Sequence, residues 1–146
     1  MKEALMISAC LLGVACRYDG ASRPLPREKL DALAARYALI PVCPEQLGGL
    51  PTPRLPAERR DGGVFNAAGE DVTAQFRRGA AETQRIASLF CCKAALLKER
   101  SPSCGCGRIY DGSFTAVLRD GDGVTAEVLK SGGVAVYGES EIEKLV

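Results

Sequence analysis

A chain of 146 residues is long enough for one compact domain with a real core, here expected to span 1–146. Its 19 Lys and Arg against 18 Asp and Glu leave a net charge of +1, which excludes a strong nucleic-acid surface built on counterion release but not a local basic pocket. Histidine is absent, so imidazole acid/base catalysis, His-containing triads, Cys2His2 zinc sites and His-ligated haem are excluded together.

In chain order, "ALMISAC" (4–10) is a short apolar run that predicts a buried strand. "PREKLDALAARY" (26–37) predicts a helix with Pro26 at its first position and Leu30, Leu33, Ala34 and Tyr37 on one buried face. "ALIPVC" (38–43) is the second strand, and its Pro41 removes a ladder donor, so it lies at an edge or ends early. Residues 44–63 hold four prolines and four glycines and read as an extended, functional loop. "VFNAAGEDVT" (64–73) suggests a hairpin around Ala68-Gly69, followed by a helix over 73–91 with Phe76, Ala80, Ala87 and Phe90 on one stripe. "AALLK" (94–98) is a third parallel strand, and "GRIYDGSFTAVL" (107–118) a hairpin turning at Asp111-Gly112. A capped helix ending at Gly132, a strand at 134–137 and a short last helix complete the chain.

Strands separated by helices imply a Rossmann-like α/β domain, a parallel sheet with helices on both faces and a small hairpin insertion. Neither a G-x-G-x-x-G after the first strand nor a Walker sequence occurs, so no dinucleotide or triphosphate fingerprint is present. No window reaches the roughly 18 apolar residues of a membrane span, and "MKEALMISAC" lacks the features of an export signal, so a cytoplasmic location is expected.

Seven cysteines in a reducing compartment are not a disulfide framework. Cys10 ends the first strand, Cys43 ends the second, and Cys104 follows the third by a few residues. The carboxyl ends of parallel strands share one edge, where ligands bind, so these three thiols are expected to converge. A single cysteine is best read as a small buried hydrophobe, and that reading is kept for Cys91 and Cys92 at the end of the long helix. Cys16 is a rival ligand, and Cys106 a neighbour of the site. Three thiolates without histidine or a C-x-x-C pair favour iron and sulfide over structural zinc.

"ISACLLGVACRYDG", "PVCPEQLGGLPTPR", "GEDVT", "LKERSPSCG", "IYDGSF" and "GDGVTAEVL" resemble, in order and over nearly the whole chain, the motifs of the thiouracil desulfidase family. The resemblance implies a 4Fe-4S cluster on the cysteines of "SAC", "CPE" and "SPSCG", here Cys10, Cys43 and Cys104. It also implies a thiolated pyrimidine substrate, 4-thiouracil or a related nucleotide, and non-redox release of its sulfur as hydrosulfide. Catalytic importance falls on Glu45 and Ser101, with Ser101 positioning a water that Glu45 deprotonates. Arg17, Tyr18 and Arg54 are candidate contacts to the pyrimidine or its phosphate. The alternative is an iron-sulfur or zinc module without catalysis, for storage, sensing or electron transfer, which a fourth ligand at Cys16 would favour. Free base or nucleotide, and the oligomeric state, stay open.

Overall fold

A computed structural model describes residues 1–146. Its first strand, β1 (Glu3–Ser8), has no polar alternation because it is covered on both faces. Leu5 and Ile7 pack on one side with Leu96, with Leu33 of α1 (Arg27–Arg36) and with Ile142 and Leu145 near the C-terminus. Met6 faces the other side, against Ala95, Leu97, Ala87 of α3 (Thr73–Leu89), and Ala126 and Leu129 of α4 (Val124–Ser131). Each fully buried side chain of this size contributes roughly 1.5–3 kcal/mol of transfer free energy, so the strand is fixed by its own composition.

Four parallel strands form the central sheet in the order β2-β1-β5-β8, with β2 at Tyr37–Val42, β5 at Ala94–Leu97 and β8 at Ala135–Gly138. The expected α/β architecture with helices on both faces is therefore present. β2 is an edge strand, the first of the two outcomes that Pro41 allows.

Several local expectations are corrected. Pro26 caps α1 from outside instead of opening it, and of the expected stripe only Leu33 is fully buried; Ala34 is exposed and Tyr37 has already turned extended into β2. Residues 44–63 are not a structureless loop: they hold the helical turn α2 (Pro44–Leu47) and strand β3 (Ala57–Arg60). The hairpin is β3 with β4 (Gly63–Asn66), turning at Asp61-Gly62, while Ala68-Gly69 lies in a wider loop closed by a single Phe65–Asp71 bridge. "AERR" lacks the apolar alternation that marks a strand, which hid β3. The second hairpin pairs β6 (Arg108–Tyr110) with β7 (Leu118–Asp120) across a loop over 111–117, not across a two-residue turn. Glu58 accounts for that loop: its Oε1 accepts from the backbone N–H of Gly112 and of Phe114. Finally, α3 stops at Leu89; Phe90 and Cys91 are exposed, Cys91 has φ of 55°, and only Cys92 of the cysteine pair is in the core.

Candidate active site

In the sheet, β2 lies on one side of β1 and β5 on the other, so the carboxyl ends of these strands flank the point where the winding reverses. Each end carries one expected cysteine. Beyond β1 the chain turns into a 3-10 segment, Ala9–Leu12, whose Cys10 carbonyl accepts from the N–H of Gly13 and of Arg23. Beyond β2, Cys43 opens α2. That turn lies directly against α3: a Cβ on Gly79 would sit 1.9 Å from the Pro44 carbonyl oxygen, so the backbones meet where no side chain fits. Beyond β5, "SPSCG" is held by α4, because Val124 N–H donates to the Pro102 carbonyl and the N–H groups of Thr125 and Ala126 donate to that of Ser103. A Cβ on Gly123 would lie 2.4 Å from the Ser103 carbonyl, so this contact also needs glycine.

These strand ends border one cleft of about 570 Å³. Cys10, Cys43 and Cys104 line it, with Glu45, Ser101, Arg17, Tyr18 and Arg54, so the three expected ligands, the two expected catalytic residues and the three candidate substrate contacts all border it. Cys16 lines it too, whereas Cys106 lies elsewhere, its thiol pointing to the Val136 carbonyl at 3.6 Å. Five cationic side chains border the cleft, but three of them are paired, Arg17 with Asp19, Lys98 with Glu139 and Arg54 with Glu45.

Burial pushes the Cys10 thiol up to about 11, opposed by Lys98, and the Cys104 thiol up to about 12, opposed by the hydroxyls of Ser8 and Ser103. Cys16 is pushed up to about 12 by burial and by its neighbour Cys43, whose Sγ lies 3.7 Å from the Cys16 carbonyl. No three Cys, Asp or Glu groups are close enough to share a single metal ion. Thiols are soft donors and prefer thiophilic metals.

Beside the thiols sits a polar cluster that the sequence reading caught only in part. Glu45 Oε1 accepts from Arg54 Nε at 2.9 Å in a pair whose side chains are 14% and 6% exposed. Arg54 also donates to the carbonyls of Pro51 and Cys16 and to Thr52 Oγ1, so its guanidinium is directed into the protein. Glu45 Oε2 accepts from Ser103 Oγ at 2.7 Å, and Ser103 Oγ lies 2.9 Å from Ser101 Oγ. Ser103 and Ser8 were missed; the serine between Ser101 and Cys104 was visible, but no sequence spacing tells which of two serines faces a carboxylate. Arg17 pairs with Asp19 at 3.3 Å and stacks 5.5 Å from the Tyr18 ring, which is partly exposed at the cleft.

One sheet edge thus brings thiols, a carboxylate and serines to a single cleft. The chain belongs to the 2-thiouracil desulfurase family, whose model matches residues 5–141. It is 40% identical over 152 residues to YbbK of Bacillus subtilis (strain 168), described as an uncharacterized protein, across 97% of this chain and 99% of that one. Its structure superposes on TudS, described as a 4Fe-4S-dependent thiouracil desulfidase, with a TM-score of 0.94 at 46% identity, covering 99% of this chain and 95% of that one.

Proposed function

We propose that this chain is a thiouracil desulfidase, removing sulfur from thiouracil or a related thiolated pyrimidine nucleotide with a 4Fe-4S cluster held by Cys10, Cys43 and Cys104. The observation that carries the reading is the meeting, in one cleft, of three thiols from three strand ends with the Glu45-serine cluster. The donor set fits such a cluster: the ligands are soft, no imidazole competes, and the hydroxyl of Ser8 is placed beside the Cys104 sulfur. When bound, a cluster with three protein ligands supplies a Lewis-acidic iron with a free position for a thione sulfur.

The chain's own residues supply the rest. Ser101 Oγ orients a water toward the ring carbon, and Glu45 is the base that ultimately receives its proton. Arg54 holds Glu45 in place; we therefore read it as positioning the base and leave substrate contact to Arg17 and Tyr18.

Anaerobic reconstitution with iron and sulfide, followed by assay of hydrosulfide from thiolated pyrimidines, tests the reading. Turnover is expected without ATP or an electron donor, and in oxygen-18 water the product carbonyl should carry the label. A reductant requirement at every turnover defeats hydrolysis. One observation favours the second reading, a closed four-thiol module: Cys16 lines the same cleft. In that case Cys16→Ala loses the cluster, and no hydrosulfide appears.

A further inference from the structure

Within "IYDGSF", Phe114 is an aromatic residue that core packing does not explain. It lines the cleft, is 38% exposed, and joins none of the three apolar clusters of the core. A single exposed aromatic is ordinary, but this one is held at a cost. Its φ is 58°, in the left-handed region that a bulky side chain avoids, and Ala116 follows at 61°. Five side-chain-bearing residues have such a backbone, and three of them, Arg100, Phe114 and Ala116, line this cleft, so the strain is gathered where ligands bind.

The loop that carries Phe114 is braced from several sides. Glu58 Oε1 accepts from the N–H groups of Gly112 and Phe114, at 3.0 and 3.1 Å. Asp111 Oδ1 accepts from the N–H and the hydroxyl of Ser113, and Asp111 N–H donates to the Val117 carbonyl across the base of the loop. Gly112 lies so close to β3 that a Cβ there would be 2.5 Å from Arg60 Cβ and 2.9 Å from the Arg59 carbonyl oxygen. Little ordering of this loop is therefore left to be done when a ligand binds. The other two aromatic residues of the cleft are less available: Arg17 lies over the Tyr18 ring at 5.5 Å, and Tyr110 is half-buried in β6.

We propose that Phe114 is a specificity-determining residue, an aromatic platform on which the planar ring of the substrate stacks. This rests on the desulfidase reading, which makes the substrate a flat heterocycle with two π faces. Stacking needs an aromatic side chain and no hydrogen bond, so it selects for planarity and not for the polar edge of the ring. The contact is made alike before and during attack on the ring carbon, so it lowers KM and leaves kcat unchanged.

The test uses reconstituted wild type, Phe114→Ala, Phe114→Leu and Phe114→Tyr, with iron content and melting temperature measured beside kcat and KM for a thiolated uracil. Competitive inhibition by uracil and by its saturated, puckered dihydro form reads planarity directly. Loss of one base–aromatic stack raises KM roughly 10-fold. Phe114→Ala and Phe114→Leu are expected to show that rise with wild-type kcat, iron and melting temperature, while Phe114→Tyr keeps the wild-type KM. Uracil inhibition should weaken by about the same factor in Phe114→Ala, and dihydrouracil inhibition should hardly change. An unmoved KM in Phe114→Ala, wild-type behaviour of Phe114→Leu, equal losses for flat and puckered rings, or a fall in iron content would each overturn the stack. An active wild type with an unmoved KM in Phe114→Ala removes this inference alone. An inactive wild type removes the desulfidase reading, and this inference with it.

Discussion

Two cysteine-bearing regions of this molecule share a residue type and almost nothing else. At the strand ends, Cys10 and Cys104 are buried at a polar cleft, where charged or hydroxyl side chains act on each sulfur. At the end of α3, Cys91 is exposed in a left-handed turn and Cys92 is packed among Met6, Ala87, Ala95 and Leu97. Thiol chemistry is decided by surroundings: a sulfur among apolar neighbours behaves as a small hydrophobe, and one facing a cleft lined by charged and hydroxyl groups is open to ligands.

The largest effect that sharpens the contrast is loss of the centre itself. Cys10→Ala, Cys43→Ala and Cys104→Ala should each abolish a stable cluster and all hydrosulfide release, read by iron content and visible absorbance after reconstitution. A cluster retained in Cys43→Ala and lost in Cys16→Ala would move the boundary between the two regions. Next in size is chemistry without ligation. Glu45→Gln and Ser101→Ala should keep their iron while kcat falls roughly 10²-fold or more; near-wild-type turnover in both would leave the polar cluster a structural feature only.

The strand-end thiols should also be visible in the pH dependence of the metal-free protein. Their pKa values are raised from 9.0 to about 11 and 12, so the folded state favours the neutral thiol. Stability is then fully present below about pH 9 and is lost as pH rises toward 11 and 12. A thermal-melt series over that range should show Tm falling, and Cys10→Ala and Cys104→Ala should flatten it. Ligation needs the thiolate, so cluster uptake should release protons, measurable in weak buffer.

The smallest effects belong to α3. Cys91→Ala and Cys92→Ala should leave iron content and turnover unchanged. Cys91→Gly should raise stability by about 1 kcal/mol, because Cys91 follows the helix cap at φ of 55°, a conformation that costs a side-chain-bearing residue about that much. An unchanged melting curve would show that strain is relieved locally.

From the sequence alone came the apolar runs of β1 and β5, the restriction of β2 by Pro41 to an edge or an early end, and the convergence of Cys10, Cys43 and Cys104, since parallel strands must present their carboxyl ends together. Local composition carries these because burial on both faces leaves a continuous apolar signature, and because handedness and parallel pairing follow from alternating strands and helices. β3 was hidden, since "AERR" gets its strand geometry from pairing with β4 and not from its own pattern. The end of α3 was hidden too, as Phe90 and Cys91 continue the helical spacing past the point where the chain turns away. The inward commitment of Arg54 and the place of Ser103 were decided by tertiary structure only. Hydrogen-bond direction depends on which donors and acceptors meet across 9 residues for Arg54 and Glu45, and across 58 for Ser103 and Glu45, and no local spacing encodes such a meeting.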